Sequence, residues 1–103
     1  RESENISKAR RSLGFACFVA VTLVLDDRSG LLADPVLIAE GVPPEIVERI
    51  DAAATRAAEG ADTRTRRDDA AYAELVRRAV RREAQTEWGK RPVVRVEVLR
   101  LED

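Results

Sequence analysis

The chain has 103 residues, with 18 basic and 19 acidic side chains and a formal net charge of −1, so it is long enough for one domain with a single hydrophobic core. It contains no histidine and one cysteine, Cys17. Since it cannot build a zinc site, a Ser-His-Asp triad or a disulfide framework of its own, most hydrolytic chemistry is excluded.

The start of the chain carries no targeting signal. Residues 1–13 lack the apolar core of a signal peptide, and the longest apolar run, residues 15–25, is too short to span a bilayer. The cytoplasm is therefore the expected compartment, and a lone cysteine fits a reducing environment. Because the sequence opens at Arg1 rather than at a methionine, we expect it to be a fragment or a processed piece.

Two strands are predicted first. Residues 14–25 are rich in Val, Leu and Phe, which is typical of a β-strand. Residues 26–30 have the chemistry of a turn, in which Gly30 is free to adopt positive φ. Residues 31–40 should return antiparallel to the first strand. Because Pro35 cannot donate a ladder hydrogen bond, this second strand should lie at a sheet edge or be bulged.

Two helices should follow. The first is predicted from Pro44 to Gly60, and the second from about residue 68 to residue 88. Residues 61–67 are predicted to be a short polar linker, with a capping box of Thr65 and Asp68. The apolar face of the first helix is predicted to comprise Ile46, Ile50, Ala53, Ala54 and Ala57. That of the second should comprise Tyr72, Leu75, Val76, Ala79 and Val80, with Ala84 and Trp88 at its margin.

The last element is a third strand. Residues 93–101 alternate around Arg95 and Glu97, so that Val94, Val96 and Val98 should face the core. The order ββααβ predicts an α+β fold, a two-layer α/β sandwich with a three-stranded mixed sheet and two helices packed on one face. The third strand should run parallel to the first and, if it is its neighbour, make the first strand central.

One face of this sheet should stay uncovered. Two helices cover one face only, yet both faces of the first strand are largely apolar. One interpretation of the apolar second face is that it merely reflects a short central strand with small residues. The other is a docking surface for another copy or another domain. The residues of this candidate interface are Ala16, Phe18, Ala20, Thr22 and Val24.

The charges are unevenly distributed along the chain. Residues 22–62 carry nine acidic and three basic side chains, whereas residues 63–91 carry nine basic and five acidic ones. The basic segment suggests contact with phosphates of RNA. The alternative is an ordinary solvated helix face whose positive charge is partly neutralised by Glu74 and Glu87. The absence of aromatic residues among the basic ones, which base stacking would need, favours this alternative. The candidate RNA-contacting residues are Arg77, Arg78, Arg81, Arg82, Lys90 and Arg91.

Two segments contain short motifs whose order and spacing resemble those of a known family. Residues 10–35 contain RRSLGF, an apolar strand, LDD, a turn and LADP. Residues 76–92 contain VRRAVRR and then WGKRP, followed by the Val-rich last strand. Together they resemble the C-terminal domain of bacterial ribonuclease J, a metallo-β-lactamase/β-CASP nuclease. The likeness runs from about Arg10 to the end of the chain.

This resemblance implies a role in RNA processing and mRNA decay, with 5′-to-3′ exonuclease and endonuclease activity in the complete enzyme. The zinc or manganese of that family belongs to upstream catalytic domains. Nothing here matches its ligands, so no catalytic or metal-binding position is carried over. The resemblance implies a non-catalytic domain that supports oligomerisation and activity. Its partners would be another copy, the upstream catalytic domains and, through the parent enzyme, RNA. Residues 1–12 would be a linker from the catalytic region and residues 13–103 the single C-terminal domain.

Overall fold

The structure, a computed structural model, describes residues 17–101. Three strands and three helices follow one another in these residues. In chain order they are β1 (Phe18–Leu25), β2 (Val36–Glu40), α1 (Pro44–Gly60), α2 (Thr63–Arg67), α3 (Asp69–Glu87) and β3 (Val93–Arg100). The predicted α+β class is confirmed, with one short helix added between the two long ones.

The strands form one mixed sheet in the order β2-β1-β3. Strand β1 pairs antiparallel with β2 and parallel with β3. Strand β3 thus neighbours β1, which meets the condition for a central first strand that the sequence left open; the predicted edge position of the strand that follows Pro35 is confirmed. Helices α1 and α3 carry the chain back to the end of the sheet at which β1 begins, so that β3 can start beside β1.

The hydrophobic core lies between the sheet and α1 and α3. Alternate residues of a strand point to opposite faces, and the core face of β1 is almost completely buried. Val94 of β3 is buried as well, while Val96 and Val98 are half-buried against the same core. The buried core residues of β1, α1 and α3 are Val19, Val21, Leu23, Leu25, Ile46, Ile50, Ala53, Ala54, Ala58, Tyr72, Val76, Val80 and Ala84.

The predicted helix faces are correct in outline and wrong at their margins. In α1, Ala58 is buried and Ala57 is only half-buried. In α3, the buried residues follow one another at intervals of four, from Tyr72 to Ala84. Leu75 falls outside this line and stays 40% exposed, whereas Ala84 belongs to the core and not to its margin. A spacing of three or four satisfies a helical pattern, and only packing against the sheet selects between them.

The hairpin between β1 and β2 differs from the prediction in two respects. The regular strand begins only at Val36, preceded by a single bridge between Leu25 and Leu31. The residue at positive φ is Ser29, with φ of 67°, and not Gly30. Glycine is suited to position 30 by space, because an added Cβ there would approach the Asp26 carboxylate to 3.0 Å. That carboxylate accepts the N–H of residue 30 at 2.8 Å and so closes the turn.

The predicted linker is a short helix with its own caps. Asp62 accepts the N–H of Thr65 at 2.8 Å and caps α2, while Asp68 accepts the N–H of Ala71 at 3.1 Å and caps α3. The predicted capping box at Thr65 is therefore wrong, since Thr65 lies inside α2. Asp residues are good caps because a side-chain oxygen satisfies N–H groups that the first turn leaves unpaired.

Two side chains fasten the C-terminal end of α1. The Tyr72 hydroxyl donates a buried hydrogen bond of 2.7 Å to the Ala58 carbonyl, and the Arg66 guanidinium donates to the Glu59 carbonyl at 2.8 Å. The last carbonyls of a helix have no partner within the helix, so both contacts satisfy acceptors at its end. They hold α2 and the start of α3 against the end of α1.

Arg100 at the end of β3 connects three separate parts of the fold. Its guanidinium contacts the Asp69 carboxylate at 2.8 Å, the Ser29 hydroxyl at 2.8 Å and the backbone carbonyl of Arg66. It therefore joins the hairpin turn to the junction of α2 and α3. These contacts span 31 to 71 residues of sequence, which is why no local pattern indicates them.

The Tyr72→Phe substitution is expected to lower the free energy of unfolding by about 1–3 kcal/mol, because it removes the donor from a buried carbonyl. Urea denaturation of both chains measures the difference. Leu75→Ala on the same helix is the control and should change stability by less, because Leu75 is 40% exposed. Equal stability of Tyr72→Phe and the wild type would contradict the assigned hydrogen bond.

Candidate functional site: the open face of the sheet and the arginines of α3

The face of the sheet opposite the helices is formed by all three strands in register. Ala20 lies between Ile38 of β2 and Arg95 of β3, and its neighbour on the same face, Thr22, lies between Val36 and Glu97. We call this surface the open face. Its members are Phe18, Ala20, Thr22, Val24, Val36, Ile38, Glu40, Val93, Arg95, Glu97 and Leu99, and Leu101 continues the alternation just after β3.

Exposed apolar side chains are concentrated on the open face. Among residues 17–101, seven large hydrophobic residues are exposed, and five of them belong to this face. The most exposed is Ile38 at 62%, and the others are Val36, Val93, Leu99 and Leu101. The remaining two, Leu32 and Leu75, lie in the hairpin loop and on α3. Concentration of this kind on one surface is typical of an interaction site, whereas single exposed apolar residues are ordinary.

A shallow depression lies near the middle of the open face. It has a volume of about 320 Å³ and is lined mainly by Phe18, Ala20 and Thr22, with Arg95 and Glu97 at its side. The two charged residues are exposed and of opposite sign, so they add no net charge. An apolar surface with a few polar groups is the usual composition of a protein–protein contact.

The predicted interface residues of β1 lie where the sequence placed them. Phe18, Ala20, Thr22 and Val24 are half-exposed on the open face, whereas Ala16 lies outside the described residues. The contributions of β2 and β3 were missed. Alternation in residues 93–101 could have indicated those of β3, since the positions between the core valines must point the other way. The residues that β2 contributes to the open face depend on the position at which the strand begins after Pro35.

The arginines of α3 do not form one uniform cationic surface. The Glu74 carboxylate accepts two hydrogen bonds of 2.8 Å from Arg77 and a third of 2.8 Å from Arg78. These bonds lower the pKa of Glu74 from its ordinary value of 4.5 to about 2. One carboxylate thus engages two of the four arginines and reduces their availability to a phosphate.

The other predicted basic residues have different surroundings. Arg81 and Arg82 have no acidic partner within the part of the chain that the structure describes. The Lys90 ammonium lies 5.1 Å from the centre of the Trp88 ring, a cation–π contact. Arg91 donates a hydrogen bond of 3.3 Å to the Gln85 side chain. The expectation that Glu87 neutralises the arginine face is wrong, because Glu87 pairs with Arg49 of α1 at 3.3 Å.

The described residues provide no metal-binding group. Between residues 17 and 101 no cluster of three or more His, Cys, Asp or Glu side chains comes together, so these residues do not fit the zinc or manganese of a nuclease centre. Cys17 is buried immediately before β1. None of the helices in the described segment combines the length and apolar character needed to cross a membrane.

The strand order and the helices on one side of the sheet define a small α+β domain. The family model of the ribonuclease J C-terminal domain matches residues 7–101, so this chain belongs to that family. The chain is also similar to ribonuclease J of Sinorhizobium meliloti, with 37% identity over 98 residues, which covers 89% of this chain and 17% of the relative. The resemblance predicted from the sequence is therefore confirmed. The chain spans only 17% of the length of that relative.

Glu74 is expected to titrate with a pKa of about 2, below its ordinary 4.5, because ionisation is favoured by the bonds from Arg77 and Arg78. Its pKa is lower in the folded state, so its contribution to stability is complete above about pH 4.5 and is lost as the pH falls towards 2. Carbon-13 NMR of the glutamate side chains measures this titration. In the double variant Arg77→Gln/Arg78→Gln the midpoint should rise, and a wild-type midpoint near 4.5 would contradict the assigned pairing.

Proposed function

We propose that this chain is the non-catalytic C-terminal domain of a ribonuclease J-type 5′-to-3′ exo- and endoribonuclease of mRNA decay and RNA processing, and that it supports the oligomerisation and activity of that enzyme. The observation that carries this proposal is the open face, where five exposed large apolar side chains share one surface of the sheet. Family membership gives the class of parent protein. The domain would act by holding other parts of that protein in place.

The proposed occupant of the open face is the upstream catalytic region of the same protein. The matched relative is named as a ribonuclease and extends far beyond the matched segment, so a much larger body is available to dock. Charge favours a protein partner over RNA, because the open face carries one basic residue, Arg95, and two acidic ones, Glu40 and Glu97. A surface that binds RNA usually combines excess positive charge with several aromatic side chains for stacking, whereas the open face has the single aromatic residue Phe18.

Docking of the open face would be driven by burial of apolar surface. Covering one large aliphatic side chain is worth about 1.5–3 kcal/mol when the side chain goes from full exposure to full burial. The five residues of the open face are 43–62% exposed, so each would contribute about half of that amount. The zinc or manganese that the family uses would be held upstream. This domain would then act on catalysis only through the position and association of the catalytic region.

Ile38→Lys is expected to weaken binding of the 103-residue chain to the separately produced catalytic region by at least tenfold, because it places a charge in the apolar contact. Isothermal titration calorimetry measures the affinity. In the complete enzyme the same substitution should lower the rate of degradation of 5′-monophosphorylated RNA.

Leu75→Lys is the matched control, since Leu75 is also an exposed leucine-sized residue but lies on α3, away from the open face. It should leave the affinity unchanged. Unchanged binding by Ile38→Lys would contradict the proposed role of the open face. A second control is the chain alone, which should not cleave 5′-monophosphorylated RNA with added zinc or manganese. Metal-dependent cleavage by a pure preparation would contradict the non-catalytic assignment.

A second candidate function is direct contact with RNA through the arginine-bearing helix. The observation in its favour is that Arg81 and Arg82 have no acidic partner among the described residues. Lys90 and Arg91, just after α3, would extend the contact beyond the end of the helix. Arg77 and Arg78 would contribute less, because both are bound to Glu74.

If RNA binds this helix, Arg81→Gln/Arg82→Gln should reduce the affinity severalfold and flatten its dependence on salt, because fewer counterions are released. Filter binding at several salt concentrations measures both quantities. The matched control is Arg77→Gln/Arg78→Gln, which removes two arginines that are already paired and should have the smaller effect. Unchanged affinity and salt dependence in Arg81→Gln/Arg82→Gln would exclude this contact.

A further inference from the structure

The outer edge of β3 is unpaired within the described residues. Strand β3 is the last of the order β2-β1-β3 and has eight residues, VVRVEVLR, uninterrupted by proline. The opposite edge is less suited to pairing, because β2 has five residues and starts just after Pro35. Long edge strands with free backbone groups pair with other strands, whereas short or proline-flanked edges resist pairing.

The backbone hydrogen bonds show which residues of β3 face outwards. Val93 donates its N–H to the Cys17 carbonyl at 2.8 Å, and Leu101 donates to the Leu25 carbonyl at 2.8 Å. Peptide groups alternate in direction along a strand, so the odd-numbered residues between these two also face β1. The N–H and carbonyl groups of Val94, Val96 and Val98 therefore point to the free edge.

A second copy of β3 complements this edge in one antiparallel register. When the two strands cross at Val96, the outward groups of Val94 and Val98 meet those of residues 98 and 94 of the second copy. On the open face, Arg95 then lies opposite Glu97 of the second copy, and Val93 lies opposite its Leu99. Cross-strand pairs of opposite charge or of two apolar residues stabilise a sheet.

The neighbouring registers are disfavoured by charge. Centring the contact on residue 95 would place the two copies of Arg95 opposite each other, and centring it on residue 97 would do the same with Glu97. Like charges directly opposite each other destabilise a sheet. The charged residues in the middle of β3 thus discourage indiscriminate edge pairing and select the register at Val96.

We propose that two copies of this chain join along β3, antiparallel about Val96, into a continuous six-stranded sheet. This inference rests on the oligomerisation part of the proposed function and names the partner and the contact. The half-buried Val96 and Val98 of each copy become covered by the other. The two-fold axis stands perpendicular to the sheet, so both open faces lie on the same side.

Joining the sheets changes how much surface is available for docking. Strands of eight, five and eight residues, spaced about 4.8 Å apart with about 3.3 Å per residue, give a face of roughly 330 Å². The paired sheets offer about twice that area, close to the roughly 800 Å² per partner of a standard protein interface. The dimer therefore presents a docking surface of the usual size, which a single domain does not.

Disulfide cross-linking tests the register directly. In the 103-residue variant Val93→Cys/Leu99→Cys, mild oxidation should link position 93 of one copy to position 99 of the other, because directly opposed residues of this kind lie about 4.5 Å apart at Cα. Peptide mapping by mass spectrometry identifies the link. A link within one copy is excluded, since the two positions are about 20 Å apart along the strand.

Single cysteines report the alternative registers. Arg95→Cys and Glu97→Cys would each link to themselves only if the contact were centred on residue 95 or 97. In the proposed register these positions are about 7–8 Å from their own copies, beyond easy disulfide formation. We expect no such link. Efficient self-linking of either variant would overturn the proposed register.

A charge exchange provides an independent measurement. Arg95→Glu and Glu97→Arg should each weaken dimerisation at least tenfold in sedimentation equilibrium, and the double variant should restore it. Single variants that dimerise like the wild type, or a double variant that stays weak, would contradict the proposal.

The proposed edge contact and the proposed role of the open face can be contradicted separately. Ile38→Lys lies on β2 at the other side of the sheet and should leave dimerisation unchanged. A wild-type chain that stays monomeric at millimolar concentration, with no link between positions 93 and 99, would overturn the edge contact. That result would leave the binding test of the open face with the catalytic region intact.

Discussion

The fold depends on burial of one face of the central strand. Val19, Val21, Leu23 and Leu25 of β1 are essentially inaccessible to solvent, and α1, α3 and β3 pack around them. Burial of these four side chains stabilises the domain by about 1.5–3 kcal/mol each. A domain of this size has enough helix to cover one face of a sheet. The same constraint that creates the core therefore leaves the second face of β1 bare.

The polar contacts have a different distribution from the apolar ones. Arg100, Arg66 and Tyr72 satisfy carbonyl and carboxylate groups where the hairpin turn, the end of α1 and the junction of α2 and α3 meet. Glu74 engages Arg77 and Arg78 on the exposed side of α3. Three of the nine basic side chains of residues 63–91, Arg66, Arg77 and Arg78, are thus engaged within the domain. The open face carries Arg95, Glu97 and Glu40, a mixture of charges that is suited to a matching protein surface.

The elements could be predicted to the extent that they are repetitive along the chain. The alternation of β3, the apolar run of β1 and the helical spacing in α1 and α3 all correspond to the observed structure. Short capped segments could not be assigned in the same way. Thr65 fits a capping box in sequence, yet Asp62 and Asp68 provide the caps, because each satisfies an N–H group of an adjacent helix start. The local sequence permits several capping residues, and the neighbouring helices determine which of them caps.

By itself, the sequence determined the fold class, the parallel direction of the third strand relative to the first, the existence of a bare apolar face and the resemblance to ribonuclease J. These properties depend on periodicity and composition, which are local. Only the tertiary structure decided that β2 and β3 extend the apolar face, that Leu75 stays outside the core and that Glu74 rather than Glu87 binds the arginines of α3. Such properties depend on the register between strands and on which flank of a helix meets the sheet. Both are set by contacts between residues far apart in the chain, which leave no period in the sequence.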